Sequence, residues 1–440
     1  MSRKRRISRR GVLKGAALGA ASIAVTPILS LNQRVSAAQT GTAGRFVVVI
    51  NMLGGADGLN MVIPTHLSPY VDRRPTINLV NEFDPTLPPG QQIGGRPAGV
   101  PNHDLDGRFA LHYNLPTIKS AWDQSNLHIV NQVSYPNPNQ SHFTSQDIYS
   151  FGVRNAQSDG DGRGWLGRFA DLNCSNPSEP LGVISVGLGR RPDFNSDLTA
   201  PLILRDVASF QVDVDTEYVT DHALREKVMR DTIGAEPPPS EDPQLTIFDT
   251  SKQAYELVDR VQQETAGWVD PGTYPNTTLG RYLRTCSQLL HAQTSFGTKI
   301  FYTGFGGFDT HSNEIDRHAS LMAQLNGGID AFRADMVAKN KWNNCCIVVI
   351  SEFGRRTFEN GSFGTDHGHG NAFLVMGGRV RRGLSAEITE SDIDTENHVP
   401  FQVDFRDVYS EIILEHLGID PAGMFPDPTF TPDPASLNII

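Results

Sequence analysis

The chain has 440 residues, with 38 Lys and Arg against 49 Asp and Glu. Eight basic residues and no acidic one fall within residues 1–37, so the remainder carries 30 basic against 49 acidic side chains. That acidic balance argues against nucleic acid as a partner and against a protein that clings to anionic membranes. Four cysteines in this length exclude a disulfide scaffold.

The chain opens with Ser8-Arg9-Arg10-Gly-Val-Leu-Lys14, an apolar stretch from Gly15 to Leu31 broken by Pro27, and Val35-Ser36-Ala37. A basic region, a modest apolar region and a small-residue cleavage site in that order read as a signal peptide over residues 1–37. The paired arginines resemble the twin-arginine export signal. Its partners would be the twin-arginine translocase and signal peptidase, and the mature protein would be periplasmic or extracellular. A membrane anchor is the competing reading, but a short Gly/Ala-rich stretch with a proline spans a bilayer poorly. No later run is long and apolar enough, so no stable membrane span is expected after cleavage.

Residues 38–440 suffice for one large α/β domain or two smaller ones, and a single domain is expected. Short apolar runs at Phe46–Ile50, Leu127–Val133, Lys299–Phe305 and Cys345–Ile350 predict strands. Pro- and Gly-rich residues 84–108 and residues 235–245 predict long loops, and the tail from Pro421 predicts an extended strap. Helices are expected over about 249–266, 279–296 and 406–417. A further helix carries Ile315, His318, Met322, Leu325, Ile329 and Phe332 at steps of three and four. Alternation of apolar runs with helical stretches predicts an α/β fold, a mainly parallel sheet sandwiched between helices.

Each of those four runs leads directly into a polar segment. They are Gly-Gly-Ala-Asp57-Gly-Leu-Asn60, Gln-Ser141-His142-Phe-Thr144-Ser145, Gly-Gly-Phe-Asp309-Thr-His311 and Ser351-Glu352-Phe-Gly-Arg355-Arg356. A fifth, Gly-Thr-Asp366-His367-Gly-His369-Gly, precedes an apolar run instead. Loops leaving the C-terminal ends of parallel strands share one edge, where ligands bind. The fifth loop reaches that edge only if its strand runs antiparallel or the loop folds back.

Asp309 and His311 sit two apart, on one side of an extended segment, and can serve one cation or two adjacent ones. A capping Asp and a surface His are the plain alternative. Asp366, His367 and His369 are a dense nitrogen and oxygen donor set between glycines. Asp57 is either a ligand or a turn residue. Glu352, abruptly following an apolar run, needs solvent, a cation or a charge partner, and Arg355 and Arg356 are near enough to be that partner. Ser141 is either a helix N-cap or a nucleophilic hydroxyl, with Thr144 and Ser145 as rivals.

Taken together, the five segments resemble a family of twin-arginine-exported bacterial proteins of unknown function. That family is considered a remote relative of the alkaline phosphatase and sulfatase superfamily. The resemblance implies an alkaline-phosphatase-like sheet, one or two divalent metal ions (zinc, manganese or calcium) and hydrolysis of phosphate or sulfate esters. Asp57, Asp309 and His311 look like the corresponding ligands. Asp366-His367-Gly and Ser351-Glu352-Phe-Gly compete for the superfamily's strand-ending acid motif, with His367 or His369 as the final histidine. No Cys-x-Pro-x-Arg occurs, so sulfatase chemistry based on formylglycine is not expected. The expected function is a metal-dependent hydrolase acting on a small anionic ester. Ser141 or Thr144 would be the nucleophile, Arg355 would neutralise oxygens, and Asp57, Asp309, His311, Glu352, Asp366, His367 and His369 would hold metal. A non-catalytic binding or assembly protein with the same fold is the alternative.

Overall fold

The apolar runs become strands because β-branched and aromatic side chains pack well on a pleat buried on both faces. In the computed structural model the described residues are 42–84, 86–87, 93–155, 161–174, 181–199, 201–211, 221–234, 244–395, 397–433 and 436–440. The expected signal segment, 1–37, and residues 235–243 of the second loop lie outside them. Strands follow in the order β1 Phe46–Leu53, β2 Val62–Ile63, β3 His103–Asp104, β4 Ala110–Leu111, β5 Leu127–Ser134 and β6 Val183–Val186. They continue with β7 Leu202–Leu204, β8 Ile300–Gly306, β9 Cys345–Ile350, β10 Asn371–Gly377, β11 Gly383–Ser385 and β12 Val403–Asp404.

Nine strands form one sheet in the order β11-β5-β10-β9-β1-β8-β6-β7, with β12 also on β5. The strands β2, β4 and β3 form a small separate sheet. Every pairing in the large sheet is parallel except those of β10, which runs antiparallel to both β9 and β5. The loop entering β10 therefore lies at the edge where β1, β5, β8 and β9 end. All five polar segments meet that edge.

Alternate residues of β1 feed two cores. Phe46, Val48, Ile50 and Met52 face one, and Val47 and Val49 the other. The first core is closed by helices Thr278–His291 and Glu314–Ala338, through Leu283, Leu289, Met322, Leu325, Ile329 and Phe332. The second is closed by helices His142–Phe151, Trp165–Asn173 and Phe405–Glu411, through Ile148, Trp165, Phe169, Phe405 and Val408. The fold is thus α/β, a mainly parallel sheet flanked by helices. Cys345 and Cys346 point into opposite cores, both wholly buried and free. A fully buried side chain such as Ile347 contributes about 1.5–3 kcal/mol.

Residues 84–108 hold β3, and Glu82 pairs with Arg96 just before and within that stretch. The tail returns to the sheet, where the Arg381 N–H donates to the Ile439 carbonyl at 2.7 Å. Strand β5 carries a bulge against β10, with Gln132 at φ 57°.

Candidate metal centre

The loop after β1 passes so close to its neighbours that only glycine fits. A Cβ on Gly54 would lie 2.6 Å from the Asp309 nitrogen, and one on Gly55 would lie 2.2 Å from the Phe353 ring. This tight packing brings β1, β8 and β9 exits together around Glu352. Glu352 is almost wholly buried and accepts from the Gly54 N–H at 3.0 Å, Gln146 Nε2 at 3.0 Å and His142 Nδ1 at 2.9 Å. Burial pushes its pKa up, but the hydrogen bonds from His142, Gln146 and the backbone outweigh burial, and the net shift is downward. Glu352 is therefore an ionised anchor.

Its partner, His142, was not among the residues singled out from sequence. It follows the Ser141 cap at the start of helix His142–Phe151. With Nδ1 donating to Glu352, its Nε2 is buried, has no hydrogen-bond partner and lies 3.5 Å from Asp309 Oδ2. The carboxylate raises the His142 pKa. His367 is held the same way. Its Nδ1 faces the Gln140 carbonyl at 2.7 Å, which assigns the proton to Nδ1 and leaves a lone pair on Nε2. That lone pair lies 3.1 Å from Asp309 Oδ1 and 2.9 Å from His311 Nε2. Burial lowers the His367 pKa. His311 completes the pattern, with Nδ1 3.1 Å from Asp366 Oδ1 and Nε2 3.1 Å from Asp309 Oδ1. Asn360 Nδ2 donates to the same Asp366 oxygen at 3.1 Å.

Three imidazoles thus turn Nε2 toward one carboxylate, each steered by an oxygen behind it. Oxygen partners of this kind fix the tautomer of metal-binding histidines. Imidazoles so anchored turn their Nε2 atoms toward one carboxylate, an arrangement that suits a cation. The nearest ligand atoms of His142, Asp309 and His367 all lie within 4.8 Å of one another, and His311 adjoins two of them. Phe353, wholly buried, packs beneath, its ring centroid 4.8 Å from those of His142 and His367.

Arg355 and Asp309 form the fourth wall. The Arg355 guanidinium is buried and donates to the carbonyls of Gly54, Gly55, Phe308 and Thr365 and to Asp309 Oδ1 at 2.8 Å. Burial alone would raise the Asp309 pKa, but the Arg355 and His367 hydrogen bonds carry it well below the usual carboxylate range. All of Arg355's nitrogens are engaged with the protein. Arg356, by contrast, is about one-third exposed. Its Nε is without a hydrogen-bond partner, and its NH1 lies 3.9 Å from Asp366 Oδ2.

Of the residues singled out from sequence, the structure brings Asp309, His311, Glu352, Arg355, Asp366 and His367 together. His369 is turned aside, stacked on His398 at 4.0 Å between ring centroids. Ser141 Oγ accepts from the Thr144 N–H at 3.5 Å, as a helix cap. Asp57 lies elsewhere, buried, capping helix Gly58–Met61 and paired with Arg74 NH1 at 2.5 Å. Burial opposes its charge, yet Arg74 and a hydrogen bond from Glu314 bring its pKa down to about 2. Glu314 in turn is pushed well up by burial and by Asp57, and so stays protonated.

A sheet edge carrying three anchored imidazoles and a carboxylate defines an α/β protein with a candidate metal centre. The model of the family described as protein of unknown function DUF1501 matches residues 45–430, and the chain belongs to that family. No curated protein matches the chain in sequence. Among solved structures, it is similar to an alkaline phosphatase superfamily protein from Vibrio parahaemolyticus. Identity is 9%, with 96% of this chain and 78% of that chain covered, at a TM-score of 0.34. The lipoteichoic acid synthase LtaP from Listeria monocytogenes gives 9% identity, 96% and 82% coverage and a TM-score of 0.37. The alkaline phosphatase of the Antarctic bacterium TAB5 gives 10%, 80% and 96%, and 0.31. Likeness this distant leaves the chemistry to be read from the site itself.

Proposed function

We propose that the protein is an exported hydrolase of small phosphate or sulfate esters that works with one divalent ion. The carrying observation is the convergence of His142, His311 and His367 Nε2 on Asp309, with each Nδ1 already engaged. One ion is proposed rather than two because the other acids have partners. Asp57 is matched by Arg74, while Glu352 and Asp366 orient imidazoles. Three nitrogens and one carboxylate suit zinc or manganese better than calcium, which takes oxygen ligands. A bound ion would polarise the ester and acidify the attacking water.

The chain's own residues do the rest. Arg355 fixes Asp309 from behind. Arg356, partly exposed beside Asp366, reaches the anionic group through its planar guanidinium. Phe353 keeps water from the floor of the site, which strengthens the charges above it. Water is the proposed nucleophile, since the Ser141 hydroxyl serves as a cap. That same observation favours a second reading, an ion-holding protein without catalysis. No helix of the described residues is long and apolar enough to cross a membrane.

Elemental analysis of the mature protein, followed by a screen of phosphate monoesters, diesters and sulfate esters, tests both readings. One equivalent of metal with turnover supports the hydrolase. Metal without turnover supports the second reading. Metal-free protein indifferent to added zinc and manganese overturns both.

A further inference from the structure

The bulge in β5 has features that the metal centre does not use. Val130 pairs with Phe373 and Val133 with Asn371, so Asn131 and Gln132 together oppose Ala372. Adjacent strand residues normally point to opposite faces. Here both residues line one recess, whose other walls include Leu59, Arg355, Gly370 and Val399. Asn131 and Gln132 are 1% and 0% exposed, and all four of their amide nitrogens and oxygens lack a hydrogen-bond partner within the chain. Gln132 also holds a left-handed backbone at φ 57°, which glycine would adopt without strain. Bulges near functional sites serve to re-aim side chains. The structure therefore retains, at a conformational cost, two unpartnered primary amides on residues that wall one small space.

The chemistry of the walls specifies the occupant. The guanidinium of Arg355 is already engaged, and the remaining walls named are apolar or backbone. A charged ligand would find no free counter-charge. A neutral molecule that both donates and accepts would satisfy all four amide atoms, and the space is of water size.

We propose that this recess is a binding site for a water-sized, uncharged hydrogen-bonding ligand, water itself in the cell, and that the occupant braces the loop carrying His367. The link is direct. Gly370 and Asn371, which end that loop, line the recess, and the Asn371 amide donates to the carbonyls of Ala56 and Phe353. Asn131 and Gln132 are thus positioning residues. Only one of the three readouts below rests on the metal reading.

Asn131→Leu and Gln132→Leu remove the amides at similar volume, and Gln132→Gly removes the amide while easing the backbone. With the site occupied, both leucine variants should melt below the parent, and all three should bind zinc about tenfold more weakly. Leucine variants as stable as the parent, or more stable, would overturn the proposal, because discarding unpaired buried amides is favourable. If they do not fold, Gln132→Gly and a high-resolution crystal structure of the parent decide. Density about 3 Å from both amides supports the site, and a recess without density overturns it. A parent that binds no zinc refutes the metal reading alone, leaving melting and density to judge this one.

Discussion

Glu352→Gln isolates the anchoring of His142 from the ion itself. The substitution keeps shape and removes a charge that accepts from His142, Gln146 and the Gly54 backbone. All three donors share Oε1, and an amide NH2 in the place of Oε2 meets the Gly54 N–H, which lies 3.3 Å from that oxygen. The amide oxygen can still accept from His142 Nδ1, but without the negative charge it holds that proton, and so reserves Nε2 for the site, less strongly. Loss of such an outer partner weakens metal affinity about ten- to a hundredfold, equivalent to about 1.4–2.8 kcal/mol. The metal-free fold also suffers, since a buried donor left unmatched costs about 1–3 kcal/mol. Competition against a chromogenic chelator reads the affinity, and calorimetry with excess chelator reads the fold. Affinity within twofold of the parent would refute the claim that Glu352 orients a metal ligand.

The remaining expectations are independent of that one. Asp309→Ala should abolish the stabilisation by zinc, about 2.7 kcal/mol at a hundredfold excess over the dissociation constant, seen as a melting temperature indifferent to chelator. Arg74→Met leaves Asp57 buried and unpaired and should cost about 3–5 kcal/mol by denaturant unfolding, while metal stoichiometry in the folded fraction stays at the parent value. Burial lowers the His128 pKa to about 4, so its neutral form contributes stability above pH 6.5 that is lost as pH falls through 4. His128→Gln should therefore be less acid-sensitive than the parent, by at most about 3 kcal/mol between pH 7 and 4, in paired urea titrations. Finally, replacing Arg9 and Arg10 by Lys should hold the precursor in the cytoplasm; undiminished export of that variant, by cell fractionation, would end the twin-arginine proposal.

Much of the scaffold was legible because its signals are local. The runs Phe46–Ile50 and Cys345–Ile350 are apolar at every position, as strands buried on both faces require. Ile315 to Phe332 repeat at helical spacing, and the helix runs from Glu314 to Ala338. The direction of β10 was not legible, since the apolar run Ala372–Met376 has no polarity of its own; pairing with β5 and β9 sets it. Side-chain partnerships across long separations were equally hidden. Asp57 and Asp309 each stand near glycines and each pair with a buried arginine, but the first is enclosed with Arg74 while the second keeps an exposed carboxylate among imidazoles. In the segment Ser141-His142, the hydroxyl drew the functional reading, yet its place at the helix start makes it a cap and sends the next side chain to Glu352. Arg355 and Arg356 differ only in which one the strand exit buries.

The reversed strand has a mechanical consequence. Among the described residues, strands β5, β11 and β12 join the rest of the large sheet only through β10, which is laced to β5 on one side and to β9 on the other. It acts as a keystone. The loop bearing His367 is the lead-in to that keystone. An ion gripping His367 together with His142 and Asp309 would clamp the seam from above, and pulling the seam apart would dismantle the grip. Retention of a bound ion and the integrity of the sheet would then depend on the same seven-residue element.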